Sequence, residues 1–232
     1  MEDRKQLMQR ATSRPKKRAA IDDLIAVMAR LRSPTGCPWD REQDHMSLRF
    51  HAVEEVYELL DAIETGDDVE LEEELGDLLL QVAFHCQLAN ERKVFNFERV
   101  ARHITDKLIR RHPHVFGDTK VKNVDQVWAN WEKIKRAEKQ GTHRERPSAF
   151  DGIPKHLPAL LRAEKLVKKA RKANLAESQK SGTSRAALSS ALFDLAQEAQ
   201  ARGWSAEELL RSESARRERA WRKAERKKTT QS

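Results

Sequence analysis

Apolar residues recur along the chain with a helical period. Over residues 21–32 they stand at Ile21, Leu24, Ile25, Met28 and Leu31, a spacing that keeps one helix face apolar. Residues 33–45 (SPTGCPWDREQDH) break the pattern with Pro34, Gly36 and Pro38 and read as a loop. A second helix is predicted from a Ser47 cap to about Thr65, stopped by Gly66. A third opens at Asp67 or Asp68 and runs to about Asn90, with the stripe Leu71, Leu75, Leu78, Leu79, Val82 and Cys86. Asn96 is placed to cap Phe97–Arg111, which Pro113 ends. Asn123 or Asp125 starts a helix to about Gln140, residues 147–158 form a connector, and residues 157–173 return to helix. Residues 174–186 read as a linker, and two further helices, at about 187–202 and 205–226, flank Gly203. Nothing reads as a strand. The pattern predicts an all-α protein: a four-helix-bundle-like domain with a C-terminal helical appendage.

Composition divides this picture in two. Of the 49 Leu, Ile, Val and Phe residues only nine fall in residues 166–232, so the capacity to bury a core lies upstream. The net charge of +8 belongs to the ends: residues 1–20 carry +5 and residues 211–232 carry +6, leaving −3 between them. A folded nucleic-acid reader is not indicated, and the basic tails would bind nucleic acid only weakly and non-specifically. No apolar run approaches the roughly 18 residues a membrane span needs. The first twenty residues lack the apolar stretch of a secretory leader. Cys37 and Cys86 form no CxxC or zinc pattern, so ordinary thiols and a cytoplasmic setting are expected.

The candidate chemistry is acidic. Glu54, Glu55 and Glu58 lie on the second predicted helix; Glu72, Glu73, Glu74 and Asp77 lie on the third. Glu55/Glu58 and Glu74/Asp77 are both i,i+3 pairs beside apolar stripes (Val56, Leu59, Leu60; Leu75, Leu78). Antiparallel packing through those stripes would gather four carboxylates, whose repulsion and desolvation a hard divalent cation offsets. Oxygen-only ligands suit Mg²⁺ or Mn²⁺ rather than zinc. A di-iron bundle needs Glu-x-x-His on two helices, and the single such pair, Glu42/His45, sits in the loop.

Glu54-Glu55-x-x-Glu58 followed by Glu74-x-x-Asp77 resembles the EExxE…ExxD signature of MazG-type nucleoside triphosphate pyrophosphohydrolases. GCPWDREQ at 36–43, EELGDLL at 73–79 and DKLIRRHPHVFGD at 106–118 agree with it, and the resemblance spans about residues 21–173. Asp44, where relatives usually carry Thr, is a mild departure. The resemblance implies an all-α enzyme that splits (d)NTPs into monophosphate and pyrophosphate with Mg²⁺, Mn²⁺ being a possible substitute, and that forms a homodimer. Glu55, Glu58, Glu74 and Asp77 would be the metal ligands. Glu54 would be an additional carboxylate, and Glu54 or Glu58 could take the proton of the attacking water. Lys107, Arg111, Trp131 and Lys135 match nucleotide-contacting positions; Trp39 would cover the base or pin its loop. His112 and His114 read as helix-stop and packing residues.

Long members of this family carry two such domains in tandem, and residues 187–226 look like the last helices of a second copy. Ala187 and Ser190 stand where the first copy has Glu74 and Asp77, and Ala220 where it has Arg111. The expected layout is therefore a disordered basic tail at 1–20, a catalytic domain at 21–173, a linker at 174–186, a degenerate remnant at 187–226 and a tail at 227–232. A catalytically silent nucleotide-binding or protein-interaction module of the same fold is the alternative.

Overall fold

The structure, a computed structural model, describes residues 19–142, 145, 147–176 and 182–230. Most of the basic segment expected at 1–20 and the middle of the expected linker lie outside the described residues. The regular elements among them are all helices, with no strand, and no described helix is long and apolar enough to cross a membrane. The chain forms two compact units, residues 1–124 and 125–232.

In the first unit, α1 (Ala20–Leu31) leads through a loop containing a short helix, α2 (Pro38–Glu42), to a 3₁₀ turn (Ser47–Arg49). Next come α3 (His51–Thr65), α4 (Asp68–Glu91), α5 (Phe97–Arg111) and the four-residue α6 (Pro113–Phe116). The expected Ser47 cap is absent, and α3 begins four residues later. The cause is local: the Asp44 carboxylate accepts from the Met46 and Ser47 N–H groups, and Ser47 Oγ turns back to Asp44. Pro113 ends α5 as expected, but it also serves as the first residue of α6.

The hairpin of α3 and α4 sets the geometry of the unit. Gly66 closes α3 in the left-handed region (φ 73°) and donates to Ala62 O. Asp67 then caps α4, accepting from the N–H groups of Val69 and Glu70. So tight a turn makes the helices antiparallel neighbours. The core joins Met28 of α1, Leu48 of the 3₁₀ turn, and Phe84 and Leu88 of α4, with Leu31 and Leu80 against them. Only part of the α3 stripe enters the interior: Ala62 is buried, Leu59 half-buried, and Val56 and Leu60 stay exposed.

The second unit contains α7 (Val124–Ala137), α8 (Ala159–Lys172), α9 (Arg185–Ala201) and α10 (Ala206–Thr230). Thus α7 and α8, expected with the acidic helices, group with the C-terminal helices. The core here is Phe150, Leu166 and Ala170, with Ile153, Leu175 and Trp221 packed on it. Trp221 of α10 stacks on Phe150 at 5.8 Å. Polar bonds fasten α10 along its length: Glu207 accepts from Ala159 N, Glu225 from Ser148 Oγ and Ala149 N, and Lys228 donates to Asn174 O.

Candidate functional site

Glu58 lies eight residues before Gly66, and Glu74 seven residues after Asp67. At about 1.5 Å of rise per residue, both stand roughly 10–12 Å from the turn and so meet across the hairpin. In the structure one carboxylate oxygen from each of Glu55, Glu58 and Glu74 lies within 4.8 Å of the others. Asp77, one turn beyond Glu74, acts electrostatically on both Glu58 and Glu74.

The electrostatics of this cluster are those of crowded like charges. Desolvation, then the charges of Glu55, Glu54 and Asp77, push the Glu58 carboxyl above the ordinary range. Desolvation, then Glu58, Asp77, Glu55 and Glu73, push Glu74 up as well. Glu74 Oε2 is buried with no hydrogen-bond partner. An acceptor-only donor set with an orphaned oxygen fits a hard cation of the Mg²⁺ or Mn²⁺ kind. Glu54 is more peripheral, 3.7 Å from His51 Nδ1 and largely exposed.

Gln81 touches the carboxylate cluster and is not among the residues the sequence reading singles out. It lies on the same α4 face as Glu74 and Asp77, is 8% exposed, and donates from Nε2 to Glu55 Oε1 at 3.0 Å. Its i,i+4 spacing from Asp77 was the available signal, but a glutamine there reads equally well as a solvated position.

The 33–46 loop is pinned by Arg32. Its Nε and Nη2 grip Glu91 at 2.7 and 2.8 Å, and its Nη1 reaches the carbonyls of Asp40 and Gln43. Trp39 is half exposed (53%), with its edge contacts made to Phe84 at 6.5 Å and His51 at 6.2 Å. Lys107 and Arg111 stand one turn apart on α5, both half-buried. Trp131 and Lys135 belong to the second unit. There the Lys135 ammonium lies 4.8 Å from the Trp131 ring centre and 3.4 Å from Glu132. Lys135 also borders a cleft of about 560 Å³ lined by Arg136, Lys139, Asp151 and Lys169 among others.

Residues 43–116, which contain the whole carboxylate cluster, match the family model described as "MazG nucleotide pyrophosphohydrolase domain". A 26.1 kDa protein of Streptomyces cacaoi, itself uncharacterized, is 41% identical over 197 residues, covering 84% of this chain and 78% of its own length. The chain belongs to the MazG family. It is also 48% identical over 150 residues to the nucleoside triphosphate pyrophosphohydrolase of Escherichia coli K12, covering 64% of this chain and 56% of that protein. The corresponding protein of Thermotoga maritima, named nucleoside triphosphate pyrophosphohydrolase/pyrophosphatase MazG, is 46% identical over 146 residues, or 63% of this chain and 54% of its own. The chain thus spans about half the length of these named MazG relatives.

Proposed function

We propose that this MazG chain is a Mg²⁺-dependent pyrophosphohydrolase that adds water across the α–β phosphoanhydride of (d)NTPs. The new P–O bond forms at the α-phosphorus, the α–β bridging bond breaks, and (d)NMP and pyrophosphate leave. The observation that carries this is the cluster of Glu55, Glu58 and Glu74 oxygens within 4.8 Å on two antiparallel helices. The names of the relatives support the substrate class.

Glu55, Glu58, Glu74 and Asp77 would hold Mg²⁺, or Mn²⁺ in its place. Bound there, the cation supplies charge neutralisation for phosphate oxygens and a more acidic attacking water. Glu58 or Glu54 takes the proton from the attacking water. Lys107 and Arg111 donate to phosphate oxygens, where negative charge accumulates on the leaving group. The ring of Trp39 provides a flat face for a base.

We assign a homodimer and a cytoplasmic setting on the same reading. The first is supported by the apolar side chains left exposed on α3, the second by the free thiols of Cys37 and Cys86. The shortened second copy read in residues 187–226 remains our proposal for the origin of the C-terminal helices.

The deciding experiment follows products from NTPs and dNTPs with Mg²⁺. Equimolar NMP and pyrophosphate are expected, abolished by Glu55→Ala and by Asp77→Ala. Release of inorganic phosphate alone, or activity surviving both substitutions, overturns the reading. Tight nucleotide binding without pyrophosphate release would favour the silent module.

A further inference from the structure

Gln81 sits one helical turn beyond Asp77, on the α4 face that carries Glu74. More than nine-tenths of it is buried, and its amide is aimed at the carboxylates through the Nε2 bond to Glu55 Oε1. The other end of the amide, Oε1, is buried and has no hydrogen-bond partner, as is Glu74 Oε2. Two orphaned acceptors in one small acidic cluster are costly. Two acceptors cannot satisfy one another; only a cation or a hydrogen donor can satisfy them. A hard cation brings both, because it binds carboxylate oxygen directly and keeps several waters whose hydrogens point outward.

We propose that Gln81 is the positioning residue of the carboxylate centre. Its amide N–H holds Glu55 in one orientation, and its buried Oε1 accepts a hydrogen from the hydration shell of the cation. This rests on the metal reading above. The carboxylates alone repel one another and leave Glu55 free to rotate away. A neutral amide fixes it without adding a fifth negative charge. Glutamine does both jobs because it is donor and acceptor in one planar group, which neither Glu nor Lys is. Partners that orient a ligand in this way typically alter metal affinity by about 10- to 100-fold.

The test is Mn²⁺ titration of the full chain without nucleotide. The free-ion electron paramagnetic resonance signal is read alongside the Mn²⁺-induced rise in Tm. Wild type, Glu74→Gln, Gln81→Met and Gln81→Asn are compared. Met keeps the size of Gln without its polar atoms; Asn keeps the amide but withdraws it from Glu55. Both are expected to weaken Mn²⁺ binding at least about tenfold and to shrink the Mn²⁺-dependent rise in Tm. If Gln81→Met fails to fold, Gln81→Asn decides. Wild type that binds no Mn²⁺, or Glu74→Gln that binds it equally well, overturns the metal reading itself. Normal loss in Glu74→Gln with unchanged affinity in the Gln81 variants overturns the role of Gln81 alone. So does a Gln81 variant whose Tm falls equally with and without Mn²⁺.

Discussion

The Nδ1 atoms of His45 and His85 stand 2.8 Å apart, with their rings stacked at 5.0 Å. Arg92 Nη2 lies 2.7 Å from His45 Nε2, and a guanidinium can only donate. His45 therefore carries its hydrogen on Nδ1 and donates it to His85 Nδ1, which leaves the His85 hydrogen on Nε2. This chain, Arg92 to His45 to His85, ties the end of the Trp39 loop to α4.

The arrangement is sensitive to acid. The charged groups about it are Arg92, against His45 Nε2, and Asp44, whose carboxyl the neighbouring His45 helps to lower. Burial, then the neighbouring His45, hold His85 below the ordinary histidine value of 6.5. The folded state thus binds this proton less readily than the unfolded chain, so its contribution is full above 6.5 and lost as pH falls below it. We expect Tm to decline from about pH 6.5 downward, with faster amide exchange in residues 36–46. In His85→Ala that pH dependence flattens.

Gly36 is confined by backbone rather than by conformation. A Cβ there would lie 2.0 Å from Leu31 O and 2.5 Å from Arg30 O, at the end of α1. Gly36→Ala should displace the loop from α1 and cost about 1–3 kcal/mol, the usual range for overpacking. Chemical denaturation reads the loss, and Trp39 fluorescence reports whether the loop has moved off Phe84.

The acidic cluster predicts a reversal of the usual sign. Glu58 and Glu74 are held above the ordinary carboxylate range, so each destabilises the fold once ionised. That cost is absent below the usual value of 4.5 and grows as pH rises through the raised one. Glu58→Gln and Glu74→Gln should therefore raise Tm at neutral pH without metal. The same substitutions should abolish the rise in Tm produced by Mg²⁺. Calorimetry with and without Mg²⁺ separates the two effects.

Along α3, Val53, Val56, Tyr57, Leu60 and Ile63 follow helical spacing and yet remain about half exposed. An apolar stripe of that length is unusual on the surface of a monomer. Sedimentation should give twice the 26.8 kDa chain mass. Val56→Glu with Leu60→Glu should yield a folded monomer.

The sequence made some of this legible and hid the rest for physical reasons. Short-range patterns carried through: the Gly66–Asp67 turn, the Asn96 cap and the i,i+3 acid pairs are each decided within a few residues. What escaped depends on partners distant in the chain. Gln81 meets Glu55 across 26 residues and His45 meets His85 across 40, and no local period marks either. The start of α3 was misplaced because Asp44 claims Ser47. Several cations of the basic C-terminal run also have partners far off in the chain within the second unit, which no local pattern marks.

The last of those partners form a chain of charge running inward from half-buried Asp151 to buried Arg162. Arg162 of α8 is 7% exposed and bonds Glu218 of α10; Arg222 bonds Glu218 at 2.8 Å and Asp151 at 2.7 Å. Burial pushes Glu218 up, but the bonds from Arg222 and Arg162 outweigh it and hold the carboxyl below its ordinary value. Asp151 is likewise pushed up by burial and drawn down further by Arg222, Ser148 and Lys169. Because both folded values are depressed, this stabilisation is present above the unfolded carboxylate values and lost as pH falls through the folded ones. The contacts between α8 and α10 should thus weaken below about pH 4. Glu218→Ala leaves Arg162 buried without its carboxylate and should cost about 3–5 kcal/mol in the second unit at neutral pH. Glu218→Gln keeps the shape, loses the charge, and should fall between Ala and wild type. Hydrogen exchange along α10, with Trp221 fluorescence reporting its stack on Phe150, measures the loss where it occurs. Unchanged protection of α10 in Glu218→Ala would show that Phe150, Leu166 and Trp221 hold the helix unaided.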